Sequence, residues 1–194
     1  DSSLVYMVDQ LIQERGNEKS QFICDDLAKI QKIVLDAQRS GKKAVVFGVA
    51  YSLLDLCDMG IDLQGVKVIE TGGMKGKRKE LSKEDLHLKL IKDLQLKALY
   101  SEYGMTELLS QAYTDKDLQF QCPPWMRISI RDLYDPFSLL GDNKRGGINI
   151  IDLANVHSCS FIATEDTGIS IKDKFQLRGR IEKSDLRGCN LLIE

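Results

Sequence analysis

Tyr103-Gly104-Met105-Thr106-Glu107 is the densest run of chemistry-bearing residues in the chain, and it follows the short apolar stretch Ala98-Leu99-Tyr100. Glycine at 104 lets the backbone turn sharply and come close to a ligand. The Thr106 hydroxyl suits a phosphate oxygen. The Glu107 carboxylate beside it suits Mg²⁺, which binds through one or two carboxylates together with phosphate oxygens. The same five residues also fit an ordinary polar turn after a strand, so the pentapeptide alone leaves both readings open. Histidine and cysteine chemistry is disfavoured. His87 and His157 have no clustered partners, and the five cysteines (Cys24, Cys57, Cys122, Cys159, Cys189) never occur as Cys-x-x-Cys. That pattern argues against a zinc site or a disulfide framework and suits a reducing cytoplasm.

The elements that must position these residues are legible in outline. Asp25-Asp26 reads as a helix cap before Leu27, Ile30, Val34 and Ala37, which recur at helical spacing up to Gly41. Ala44-Val45-Val46-Phe47-Gly48 reads as a buried strand, residues 52–57 as a short helix, and Val66-Lys67-Val68-Ile69 as a second strand leading to Thr71-Gly72-Gly73. Ser82 and Asp85 form a helix-start pair ahead of Leu86, Leu90, Leu94 and Ala98, and a third strand follows near Tyr100. This alternation predicts an α/β fold, a parallel sheet with crossover helices. Gly48, Thr71-Gly72-Gly73 and Tyr103–Glu107 would then all lie just beyond strand carboxyl ends, the edge where open α/β sheets bind ligands.

After residue 115 the pattern changes. Cys122-Pro123-Pro124-Trp125 breaks the helical rhythm, because proline fixes φ and removes a donor. Short apolar runs at 126–130, 148–153, 160–163 and 175–177 are separated by Gly146-Gly147, Asp166-Thr167-Gly168 and Arg178-Gly179-Arg180. They predict a small antiparallel β subdomain. The expected organisation is therefore an α/β subdomain for nucleotide and acyl group over residues 1–115 and a β-rich subdomain completing the site over 116–194.

Composition narrows the function classes. The chain has 194 residues, 43% of them hydrophobic and 29% charged, with a formal net charge of -2, as in an ordinary globular protein. There is no basic excess to neutralise a nucleic-acid backbone. No apolar run reaches the length of a membrane span, and no signal peptide opens the sequence. A cytoplasmic protein without nucleic-acid partners is the expectation.

Read in order, Thr71-Gly72-Gly73, Tyr103–Glu107, Gly146-Gly147, Thr164-Glu165-Asp166-Thr167-Gly168 and Gly179-Arg180 resemble the adenylate-forming superfamily of acyl-CoA ligases, luciferases and peptide-synthetase adenylation domains. The ending from Gly179 to Asn190 and the opening Ser2–Val8 look closer to one branch, the acyl-protein synthetases of the bacterial fatty-acid reductase system. The resemblance implies that a fatty or other carboxylic acid attacks the α-phosphate of ATP, giving an acyl-adenylate and pyrophosphate. It implies that Thr106 hydrogen-bonds the α-phosphate, that Glu107 holds Mg²⁺ and that Tyr103 stacks near the adenine. Asp166 and Arg180 would meet the ribose. Two acceptor oxygens suit a vicinal diol, and a guanidinium offers several fixed donors. Gly72, Gly73 and Gly104 would allow close backbone approach to the nucleotide or acyl group. In this branch the acyl group passes to a cysteine near the carboxyl terminus, a role that falls on Cys189, whose neighbour Arg187 favours a thiolate. An acyl-acceptor or reductase protein is the implied partner.

Each of these residues also has a plainer reading. Asp166-Thr167-Gly168 fits a turn, Arg180 a solvated side chain, and Cys189 an inert thiol. Lys75, Lys77, Arg78 and Lys79 fit a solubilised loop, and Met105 and Trp125 fit packing residues. The superfamily's Ser/Thr/Gly-rich phosphate loop does not occur in the sequence. The expectation is therefore the carboxyl-terminal part of a longer ligase, inactive on its own. The alternatives are a coenzyme A ligase of the phenylacetate type and a non-catalytic nucleotide-binding fragment.

Overall fold

The helical and strand periodicities of the first hundred residues are realised as alternating elements. The computed structural model describes residues 3–24, 26–72, 81–115 and 117–181. Along the chain run α1 (Ser3–Arg15), α2 (Ala28–Arg39), β1 (Val45–Val49), α3 (Ala50–Asp58), β2 (Lys67–Thr71), α4 (Lys83–Asp93) and β3 (Leu99–Tyr103). There follow β4 (Ala112–Thr114), β5 (Phe120–Gln121), β6 (Met126–Arg131), β7 (Leu139–Leu140), β8 (Arg145–Asp152), a 3₁₀ turn (Leu153–Asn155), β9 (Phe161–Ile171) and β10 (Lys174–Arg180). Backbone proximity divides the chain into two units between Tyr100 and Ser101, within β3. The α/β half followed by an antiparallel half is the fold class the sequence predicts. No described helix is long and apolar enough to cross a membrane.

In the first unit β1 and β2 pair in parallel, with Val45 opposite Lys67 and Val49 opposite Thr71, and α3 makes the crossover. β2 is buried from Val68 to Thr71, as a covered parallel strand must be. The core is built from Ile30 and Val34 of α2, Leu53, Leu54 and Leu56 of α3, Leu86 and Leu90 of α4, and Leu63, Val68 and Leu94. Each fully buried leucine contributes about 2 kcal/mol of transfer free energy. α4 begins as the sequence predicts: the Ser82 hydroxyl accepts from the Asp85 amide at 3.0 Å and donates to the Asp85 carboxylate at 2.7 Å. α2 differs. Its cap position is Leu27, with no side-chain cap bond; Asp26 supplies its backbone carbonyl to the Lys29 amide and an ion pair to Lys29. Asp25 lies outside the described residues.

In the second unit the strands are antiparallel in the order β3-β4-β5-β10-β9-β8-β6-β7. Their core gathers Tyr103, Leu108, Phe120, Met126, Ile130, Ile148, Ile150 and Phe175. The glycine-containing separators that the sequence suggested as turns lie inside strands. Gly146-Gly147 belongs to β8, Asp166-Thr167-Gly168 to the eleven-residue β9, and Arg178-Gly179-Arg180 to β10. For Gly146 and Gly168 the reason is close approach rather than turning. A Cβ on Gly146 would lie 2.2 Å from the Arg131 carbonyl oxygen, and one on Gly168 would lie 2.7 Å from the Gln176 carbonyl oxygen. The Arg131 guanidinium covers Gly147 and donates to the carbonyls of Ile148 at 2.9 Å and Thr164 at 2.6 Å.

Candidate functional site

In the second unit β3, β9 and β10 bring Tyr103, Asp166 and Arg180 together. The Tyr103 hydroxyl donates to Asp166 Oδ2 at 2.8 Å, and Arg180 Nε lies 3.7 Å from Asp166 Oδ1. The other end of the guanidinium donates to Glu165 Oε2 at 2.8 Å. Arg180 Nε is buried and has no hydrogen-bond partner among the described residues. Burial pushes the Asp166 carboxyl above the ordinary carboxylate value, against the opposing pull of the Tyr103 hydroxyl and the Arg180 charge. Burial also raises the Tyr103 phenol, and the Asp166 charge and hydrogen bond raise it further, so it stays a donor.

A backbone irregularity creates this pairing. Leu177 faces Gly168 across β9 and β10, but Gly179 faces Thr167 and Arg180 faces Asp166. An unbroken ladder would put Gly179 opposite Asp166. The extra residue, Arg178, is a β-bulge that advances Arg180 by one place and turns it to the face of Leu177. Gly179 takes φ +101° there, a conformation open to glycine. The Thr167 hydroxyl donates to the Gly179 carbonyl at 3.2 Å, and Arg145 donates to the Arg178 carbonyl at 3.1 Å, which hold the bulge.

The Tyr103 ring is 6% exposed and packs edge-on against Phe120 and Phe175, with centroids 5.9 Å and 5.5 Å away. Its hydroxyl is therefore the part aimed at the site's polar groups. Gly104, Thr106 and Glu107 are exposed on the loop that follows β3. That loop is anchored from beneath by residues the sequence did not single out. Asp152, fully buried, accepts from the amides of Leu109 and Ser110 and from the Ser110 hydroxyl, and Asn155 donates to the Glu107 carbonyl at 2.6 Å. Nothing in the sequence flagged them, since Asp152 lies within the apolar run 148–153. Trp125, expected to be a packing residue, is half exposed, and its indole N–H donates to the Ser110 hydroxyl at 2.9 Å.

In the first unit Thr71 is buried at the end of β2, and Gly72 adopts φ +70°. The preceding Glu70 is fully buried; it accepts from Lys83 Nζ at 2.5 Å, and His87 Nε2 lies 3.9 Å away, tying the end of β2 to α4. These partners were also missed, because residues 13 and 17 positions apart in the sequence give no local signal. Gly73, Lys75, Lys77, Arg78, Lys79, Arg187 and Cys189 lie outside the described residues.

Comparison with known proteins finds no matching protein-family model and no matching curated sequence. Solved structures do match. A luciferase-like enzyme from the nonluminescent mealworm Zophobas morio aligns with TM-score 0.54 and 15% identity, over 81% of this chain and 41% of that one. An adenylation–carrier protein pair complexed with phenylalanyl-adenylate gives 0.55 and 15%, over 84% and 34%. A long-chain fatty-acid–CoA ligase from Archaeoglobus fulgidus gives 0.56 and 15%, over 84% and 37%. The chain thus spans about two-fifths or less of the length of each of these structures. At such identity the likeness speaks to architecture alone: this chain shares the fold of a part of each of these structures.

Proposed function

We propose that the chain forms part of an ATP-dependent acid–thiol ligase of the acyl-protein synthetase kind, which activates a fatty or other carboxylic acid as its acyl-adenylate. The observation that carries this reading is the Tyr103–Asp166–Arg180 cluster, in which a buried Arg180 Nε has a donor to spare beside a carboxylate held by Tyr103. A ribose diol would meet both an acceptor and a donor there. The exposed Thr106 and Glu107 suit the phosphate side of the same nucleotide. Glu107 fits Mg²⁺, which needs few protein carboxylates when phosphates supply the other oxygens. The ion would neutralise charge building on the phosphates, and this chain's residues would orient the nucleotide.

Gly72 and Gly73 are proposed to allow close approach of the nucleotide or acyl group. Cys189 is proposed as the thiol that receives the acyl group. A coenzyme A ligase is the second reading, supported by the likeness to the Archaeoglobus CoA ligase; only the acceptor differs.

The test is acid-dependent exchange of labelled pyrophosphate into ATP by the natural protein that contains this chain, across a panel of carboxylic acids. Glu107→Gln keeps the size of the side chain and removes its charge. It is expected to lower exchange at least about tenfold at limiting Mg²⁺. Exchange at the full wild-type rate would refute the assignment. The isolated 194 residues, lacking a Ser/Thr/Gly-rich phosphate loop, are expected to show no exchange.

A further inference from the structure

The loop that carries Thr106 and Glu107 contains no regular element between β3 and β4, yet its backbone is fixed at three points, Glu107, Leu109 and Ser110, from one place. Asp152 Oδ2 accepts the amides of Leu109 at 3.1 Å and Ser110 at 3.0 Å. Asp152 Oδ1 accepts the Ser110 hydroxyl at 2.7 Å and the Ala154 amide at 3.1 Å. Three residues on, Asn155 Nδ2 donates both to the Glu107 carbonyl at 2.6 Å and to the Cys159 carbonyl at 2.9 Å. Both side chains belong to the tight 3₁₀ turn at the end of β8, and Asp152 is 0% and Asn155 4% exposed. The turn is itself anchored, since the Leu153 amide donates to the Trp125 carbonyl at 3.0 Å and the Asp152 amide to the Ser160 carbonyl at 2.8 Å.

A fully buried carboxylate is costly unless its lone pairs are filled. Asp152 fills them with donors that come mainly from this loop. An apolar residue packed at the same place would leave the Leu109 and Ser110 amides without these acceptors. The arrangement therefore spends a buried charge on holding a loop in which Thr106 and Glu107 face outward and Leu108 faces the core.

We propose that Asp152 is a positioning residue for the candidate site, assisted by Asn155, and that it sets where the Glu107 carboxylate and the Thr106 hydroxyl stand. What the loop does rests on the adenylate-forming reading; where it sits does not. The experiment uses the natural protein that contains this chain, as wild type, Asp152→Asn and Asn155→Ala. Asparagine keeps the size of Asp152 but turns an amide N–H₂ toward donors that need an acceptor.

Two measurements are made. Amide hydrogen exchange without metal or nucleotide is expected to speed up at residues 106–111 in Asp152→Asn, with β6, β8 and β9 protected as in wild type. In pyrophosphate exchange, the half-saturating Mg²⁺ concentration is expected to rise about tenfold, the usual result of removing a group that orients a metal ligand. A smaller rise is expected for Asn155→Ala, which also carries the test should Asp152→Asn not fold. Unchanged loop protection overturns the proposal, as does loss of protection spread over β6, β8 and β9, which marks a merely structural role. An unchanged Mg²⁺ requirement in an active variant overturns it too. A wild-type protein without exchange activity refutes the functional reading instead, and the metal-free amide measurement then decides the positioning alone.

Discussion

Replacing Tyr103 by Phe removes one oxygen from the centre of the site and leaves its frame in place. The ring keeps its edge-on contacts with Phe120 and Phe175, so packing is conserved and the change isolates the 2.8 Å bond to Asp166 Oδ2. A hydrogen bond to a charged acceptor is worth about 1.5–3 kcal/mol. The Asp166 side chain is 22% exposed, so water recovers part of the loss, and a net cost of about 1–2 kcal/mol is expected at pH 7. In a domain of 150–250 residues each kcal/mol lowers Tm by about 2–4 °C.

The pH dependence follows from Asp166, whose folded-state value lies above the ordinary one because of burial. Losing the Tyr103 donor raises it further. Below the unfolded value both states carry the proton and the charged bond contributes nothing. Above the folded value the carboxylate is ionised and its lost partner is felt in full. The penalty of Tyr103→Phe should therefore shrink as pH falls from 7 toward 4. Thermal unfolding of wild type, Tyr103→Phe, Asp166→Ala and the double variant at both pH values measures this as a coupling energy. A coupling near zero at pH 7, or a penalty independent of pH, would refute the argument.

Gly179→Ala meets no atom within 4 Å, so its cost comes from φ +101° alone, about 1–2 kcal/mol. Because relief of that strain straightens the bulge, affinity for AMP should fall together with Tm; a drop in Tm with unchanged AMP binding would dissociate the bulge from the site. Cys189→Ser should abolish the hydroxylamine-labile label formed from labelled fatty acid and ATP by the natural protein while leaving pyrophosphate exchange intact. Equal labelling of the serine variant would remove Cys189 from the mechanism.

The first unit was legible because its signals are local. Ser82 and Asp85 are three residues apart and form the cap they suggest, and Leu86 and Leu90 recur one turn apart and are buried. Strand β2 shows as an apolar run because it is covered, whereas β1, which reads as buried in sequence, has Val45 exposed and its other residues only half-buried. The second unit was legible only in class. Gly146 and Gly168 look like turn residues in sequence, but each stands where another strand's carbonyl oxygen passes too close for a Cβ. A one-dimensional pattern cannot separate a glycine that bends the chain from one that admits a neighbour. Asp152 was invisible for a related reason: its donors at Leu109 and Ser110 lie more than forty positions earlier, and nothing about an aspartate within an apolar run marks it as a buried acceptor.

The same logic explains why Asp166 and Arg180 could be named from the sequence while their pairing could not. Residue type alone makes one an acceptor and the other a donor, but which face each presents depends on register. Counting forward along β10 from Leu177 opposite Gly168 puts Gly179, which has no side chain, across from Asp166. One inserted residue reverses that outcome, and it is tolerated because the next position is a glycine able to take φ +101°. Arg178 and Gly179 thus act through geometry rather than contact. They deliver a guanidinium to a carboxylate already held by Tyr103, and they leave the Arg180 Nε buried with no hydrogen-bond acceptor among the described residues. A buried donor without an acceptor costs free energy. Under the function proposed above, a ribose hydroxyl beside Asp166 would supply the missing oxygen.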